Sequence, residues 1–274
     1  MKHSLLLLIV LSLIVWPLPA MADNVRLDLA KQSTLEQVLQ KNRLRVGFST
    51  FVPWAMKDKS GEFVGYEIEV ARKLAEDMNV AVEFIPTKWS GIIPALLTGK
   101  FDIIIGGMGI TAQRNLKVNF TRPYEYSGMS ILASNKRAAG RTALADFNNS
   151  KTTIVARIGT TAAMAAKKYL PKAELRLFDD EGQALQEILN NRADALVASQ
   201  PFPEFQVIKY AGKIYLPLKG ETFTREPIGF AIRKGDVDFL NFLNNWILVN
   251  DANGWLQQRY RYWFTTNDWK GLVE

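Results

Sequence analysis

The stretch VEFIPTKWSGIIPALLTGKFDIII, residues 82–105, decides how the chain folds. Val82 to Ile85 is a β-prone run, and Ile92 to Leu97 reads as a helix stopped by Gly99. Phe101 to Ile105 then forms an apolar run of the kind buried in a parallel sheet. Upstream, Tyr66 to Met78 spaces its apolar residues at helical intervals, and Leu44 to Phe48 is a short strand candidate. Together these segments begin a βαβαβ unit. The same rhythm restarts downstream: Thr153 to Ala156 as strand, Thr160 to Tyr169 as helix, Leu175 to Phe178 as strand, Glu181 to Asn190 as helix and Ala193 to Val197 as strand. Two α/β halves of roughly 100 residues each fit this pattern better than one large sheet.

Met129 to Ala133 and Tyr215 to Leu218 are extended candidates around the second half, Ile228 to Ile232 is a strand candidate after it, and Val237 to Asn250 and Gly254 to Tyr262 are helical. The chain is therefore expected to cross to a second lobe near Ser134 and return near Lys219. Lobe 1 would hold residues 23–133 plus 220–274, and lobe 2 residues 134–219. Two crossings make a hinged cleft, and clefts between α/β lobes are where small ligands bind.

The 274 residues carry no Cys and a single His, His3, with 48% hydrophobic and 22% charged residues. Such a chain can bury a core. If the segment holding His3 is cut, the chain lacks the side chains for Ser-His-Asp or Cys-His nucleophiles, structural zinc, haem ligation or dithiol redox chemistry, and no metal or cofactor is expected. His3 itself lies in a segment that reads as a signal peptide. Lys2 and His3 give a basic start, Leu5 to Trp16 is apolar apart from Ser12, and Ala20-Met21-Ala22 offers a cleavage site before Asp23. That apolar run is too short to span a bilayer, which takes about 20 residues. Residues 1–22 are expected to be removed on export to the periplasm. The formal net charge of +7 favours anionic partners, but Lys and Arg are scattered singly or in pairs such as Lys167-Lys168, without the aromatic-interleaved run of a nucleic-acid groove. No nucleic-acid partner is expected.

Four runs resemble the periplasmic solute-binding proteins of polar amino-acid ABC transporters, the bacterial extracellular solute-binding protein family 3. They are Gly65 to Ala71, Trp89 to Asp102, Gly107 to Arg114 and Phe120 to Tyr124; Gly159-Thr160-Thr161 and Gly229 to Asp236 add to them. The resemblance extends from about Leu44 to Phe264. It implies an α/β, two-lobed periplasmic-binding-protein fold (type II), with two doubly wound sheets joined by a two-strand hinge. It also implies a monomeric receptor that captures a small carboxylate-bearing solute, an amino acid or related organic acid, and delivers it to an inner-membrane ABC permease.

The resemblance assigns Arg114 to the ligand's α-carboxylate, and a planar guanidinium suits that task because it gives two parallel hydrogen bonds. Gly106, Gly107 and Gly109 would let backbone amides approach the same anion. Thr160 and Thr161 open an alanine-rich helix whose N-terminal N–H groups would grip the carboxylate from the second lobe; plain N-capping is the competing role. Phe51 and Trp89 match the aromatic walls of the family's ligand site.

One departure stands out. Where the family carries an aspartate for the ligand's α-ammonium, this chain has Ser199. The expected site is therefore more cationic than a standard amino-acid site, which favours an organic acid or a rearranged ammonium contact, with Glu204 as a conceivable substitute acid. Cyclohexadienyl dehydratases share the fold and resemble this chain at Trp89 and Arg114. Their catalytic glutamate corresponds to Ala162, which cannot donate the proton that a departing hydroxide requires, so no enzymatic activity is expected. A receptor feeding a sensor kinase instead of a permease is the other alternative.

Overall fold

The computed structural model describes residues 33–273. The expected signal peptide, with His3 and the Ala20-Met21-Ala22 site, lies outside the described residues.

The first half runs α1 (Thr34–Gln40), β1 (Arg43–Phe48), β2 (Met56–Lys57), β3 (Phe63–Val64), α2 (Tyr66–Asp77), β4 (Ala81–Pro86), α3 (Ile92–Leu97), β5 (Ile103–Ile104), α4 (Ala112–Asn115), β6 (Asn119–Phe120) and β7 (Glu125–Ser127). The second half comprises β8 (Met129–Ser134), β9 (Thr153–Arg157), α5 (Thr161–Tyr169), β10 (Glu174–Phe178), α6 (Glu181–Leu189), β11 (Ala195–Ser199), α7 (Phe202–Lys209) and β12 (Ile214–Tyr215). The chain returns through β13 (Glu226–Ile228) and β14 (Ala231–Ile232), then ends in α8 (Val237–Ala252), α9 (Trp255–Tyr260) and α10 (Lys270–Val273).

Two five-stranded sheets result, ordered β4-β1-β5-β14-β6 and β10-β9-β11-β8-β12. In each, the first three strands are parallel and the last two join antiparallel. This is the expected two-lobed α/β architecture, built twice on one plan.

Periodicity explains the packing. On α2, Tyr66, Val70 and Leu74 recur every fourth residue with Ala71 beside them, and all are buried against Leu44, Val46 and Ile103 of the sheet. Phe239, Leu243 and Trp246 of α8 cover the same cluster, which ties the C-terminal segment to the first lobe. Each such side chain contributes about 1.5–3 kcal/mol on burial. In the second lobe, Ala162, Ala165 and Ala166 of α5 pack on Ile131, Ile154 and Val197. Leu185 and Ile188 of α6 cover the opposite face, so both sheet faces are helix-covered.

The crossing point differs from the expectation. Met129 to Ala133, assigned from the sequence to lobe 1, lies wholly in the second sheet, paired with β11 on one side and β12 on the other. The crossing is instead made by β7 and β13, with Glu226 opposite Ser127, Pro227 opposite Tyr126 and Ile228 opposite Glu125. A single strand over Ile228–Ile232 is broken because Gly229 and Phe230 carry the chain from this ribbon into β14. Gly128 marks the exit: a Cβ there would sit 2.3 Å from the Thr224 carbonyl oxygen, so no other residue allows so close an approach. Helices α1 and α7 were not anticipated.

Candidate functional site

The lobes touch across their cleft. Gly159 O, from lobe 2, accepts the Trp89 indole N–H at 3.1 Å and Arg114 Nη2 at 2.9 Å, both from lobe 1. Arg157 Nη2, at the end of β9, donates to Ser49 Oγ just after β1. Phe51 stacks on Phe202 of α7 with ring centres 5.4 Å apart. Beside these contacts lies a cleft cavity of about 40 Å³ that is partly open to solvent. That volume suits a few waters and falls short of the hundreds of Å³ of a small-molecule site.

Most of the expected residues converge on this cavity. Phe51, Trp89, Gly107, Thr160, Thr161 and Ser199 all line it, together with Ala162. Thr160 is the N-cap of α5: its hydroxyl accepts from Ala163 N at 3.2 Å and donates to Arg157 O at 2.6 Å. The capping role weighed for this segment is therefore seen, at a helix whose first turn faces the cavity.

Two expected residues sit differently. Arg114 lies at the cleft mouth, buried, and does not line this cavity. Its Nη1 donates to Gly109 O at 2.7 Å, and its Nη2 to Gly159 O, so the guanidinium bridges the lobes. Burial draws its pKa down and the nearby Glu226 carboxylate opposes that shift. Gly109 likewise does not line the cavity; it bridges to Ile228 of the hinge ribbon. Gly107, at φ +65°, gives its N–H to the Glu67 carboxyl. Glu67 is fully buried beneath this loop, accepts from Tyr124 Oη at 2.6 Å, and burial lifts its pKa to about 8.

The structure adds acids that the motif reading missed. Ser199 Oγ shares a 2.7 Å hydrogen bond with Ser127 Oγ, and Ser127 stands opposite Glu226 in the hinge ladder. Glu226 lines the cavity, and its Oε2 is buried with no hydrogen-bond partner among the described residues. Burial raises its pKa, with the Thr161 and Thr224 hydroxyls and the Arg114 guanidinium opposing. A carboxyl group does line the site, from the hinge and not from the end of β11. Glu204 is not that acid, because its Oε1 accepts from Gln200 Nε2 at 3.0 Å away from the cavity.

A second acid–base pair faces the same space. Arg157 Nη1 donates to Glu181 Oε2 at 3.3 Å, both side chains are buried, and burial lifts Glu181 to about 7 against the pull of Arg157. The guanidinium carbons of Arg114 and Arg157 each lie 5.7 Å from the Trp89 ring centre. Nothing in residue spacing marks Glu226 or Glu181. Arg157 precedes Gly159-Thr160-Thr161 by two residues, and that position at a strand end was the available signal. No group of three or more His, Cys, Asp or Glu side chains suited to a metal comes together among the described residues.

Comparison with known proteins agrees with the geometry. The sequence profile of the bacterial extracellular solute-binding proteins, family 3, matches residues 44–266. The L-cystine-binding protein TcyJ of Escherichia coli K12 is 29% identical over 236 residues, covering 86% of this chain and 87% of that one. The cyclohexadienyl dehydratase of Pseudomonas aeruginosa is 23% identical over 249 residues, covering 85% and 87%. Among solved structures, the ancestral amino-acid-binding protein AncCDT-1, a precursor of cyclohexadienyl dehydratase, superposes with a TM-score of 0.77 at 41% identity, over 85% of this chain and 99% of that one. A second structure of AncCDT-1 calls it a cationic amino acid solute-binding protein. A binding component of an ABC transporter from Wolinella succinogenes, complexed with lysine, gives a TM-score of 0.78 at 38% identity, over 84% and 99%.

Proposed function

The chain belongs to the bacterial extracellular solute-binding proteins, family 3, and from that premise we propose that it is a non-enzymatic receptor that holds a free amino acid between its lobes for an ABC permease. The observation that carries the amino-acid reading is the unpaired carboxylate oxygen of Glu226, buried beside Arg114 and Ser199. In this reading Arg114 and the first turn of α5, with Thr160 and Thr161, take the α-carboxylate; Glu226 and Ser199 take the α-ammonium; Phe51 and Trp89 flank the side chain. Opening about the β7–β13 ribbon admits the solute, and closure distinguishes the loaded receptor from the empty one. The receptor would act as a monomer in the periplasm with residues 1–22 removed.

A thermal-shift screen of L-amino acids beside their matching keto acids and dicarboxylates tests this. A solute at 100 times its Kd adds about 2.7 kcal/mol to the folded state. Amino acids should stabilise the chain and keto acids should not, and Arg114→Ala should remove the shift. Stabilisation by keto acids alone would overturn the reading. The enzyme alternative has a specific obstacle: the resemblance puts the dehydratase acid at Ala162, whose methyl packs in the lobe 2 core and has no proton to donate. Turnover of prephenate or arogenate would nevertheless overturn the receptor assignment.

A further inference from the structure

The cleft cavity holds a second charge pair that the α-carboxylate and α-ammonium do not use. Arg157 and Glu181 both come from lobe 2, are both buried, and both line the space against Ser49 and Trp89 of lobe 1. Paired with each other at 3.3 Å, they add no net formal charge to the part of the site that would face a solute's side chain. A charge buried against such a pair without a partner of its own is costly. A lysine or arginine side chain would bring an extra positive charge beside Arg157, and a glutamate side chain would bring a negative one beside Glu181. A group that is neutral overall but presents an acceptor to the Arg157 and Ser49 side and a donor to Glu181 would satisfy both at once.

We infer that the solute is an amino acid of zero net charge whose side chain ends in a paired acceptor and donor, either a carboxamide or a second amino-acid head, and that Arg157 and Glu181 select it. This rests on the amino-acid reading above. It sets the chain apart from the neighbours named for cationic amino acids or complexed with lysine.

Isothermal titration of the chain with L-glutamine, L-cystine, L-lysine, L-arginine, L-glutamate and L-leucine tests it. Glutamine or cystine should bind at least ten-fold tighter than the other four. Arg157→Gln, which leaves Glu181 unpaired, should improve lysine relative to glutamine by ten-fold or more, and Glu181→Gln should do the same for glutamate. Lysine, arginine, glutamate or leucine binding tightest in the wild type would overturn the inference while leaving the amino-acid receptor standing. An unchanged order in both variants, with native circular dichroism, would overturn it too. Failure of every amino acid would remove the parent reading and this one with it. The wild-type ranking decides even where a variant fails to fold.

Discussion

Replacing Glu226 by Gln separates binding from folding at one position. The half-buried carboxyl accepts from the Thr224 hydroxyl at 3.4 Å through Oε1 and feels the Arg114 guanidinium as a nearby charge, while Oε2 is buried with no hydrogen-bond partner among the described residues. If it receives the ligand's ammonium, the amide forfeits the ionic part of a charge-assisted hydrogen bond worth about 1.5–3 kcal/mol, which corresponds to roughly 10- to 150-fold in Kd. The fold responds in the opposite sense. Burial raises the pKa of Glu226, so its ionised form is disfavoured in the folded protein, and a neutral isostere removes that penalty. The unliganded Glu226→Gln chain should therefore melt no lower than the wild type while binding much more weakly. Titration calorimetry with the amino acid that gives the largest thermal shift, alongside a melt of both unliganded chains, reads both effects. A Kd within about three-fold of the wild type, with an unchanged melting temperature, would refute the assignment of Glu226 to the ammonium.

Two further outcomes are expected. Glu67 sits in the folded chain with a pKa of about 8, above its ordinary 4.5, so between those values the folded state holds a proton that the unfolded state has released. Stability should therefore fall as pH rises through that window, by at most about 1.4 kcal/mol per pH unit from this group, and Glu67→Gln should flatten the slope in melts taken from pH 5 to 8; an unchanged slope would place the titration elsewhere. At the hinge, Gly128→Ala forces a methyl toward the Thr224 carbonyl, and urea unfolding should show a loss of roughly 1–3 kcal/mol, against the small change expected of an open loop position.

The fold was legible because its signals are local. The 3.6-residue spacing of Tyr66, Val70 and Leu74, the stop at Gly99 and the apolar run at Phe101–Ile105 each depend on residues near one another in the chain, and α3 begins and ends where the pattern places it. The crossing was misplaced because a buried antiparallel strand such as Met129–Ser134 looks the same from either sheet: all six residues are buried, and only pairing with Ala195–Ser199, more than 60 residues away, assigns it to lobe 2. The β7–β13 ribbon was invisible for the same reason, since three residues against three carry no periodicity.

The cavity lining was half legible. The residues recognised by motif, Trp89, Thr160 and Thr161 among them, sit in runs whose local order places them at the cleft. Ser199 itself carries no charge, but charge in a cleft is a sum over elements that meet only after folding. Glu226 is linked to Ser199 through one cross-strand partner, Ser127, whose Oγ lies 2.7 Å from the Ser199 hydroxyl; in the proposed reading a segment 27 positions downstream supplies the carboxylate that the end of β11 lacks. The same reasoning applies to Arg157 and Glu181, separated by 24 positions and joined across β9 and α6. Ser199→Asp, which would restore the family's aspartate, would set a second carboxylate in the cavity that Glu226 already lines. Like charges in a buried site raise one pKa and leave one acid neutral, so the variant should bind amino acids no better than the wild type. A ten-fold gain in affinity for Ser199→Asp would show that Glu226 does not serve the ammonium after all.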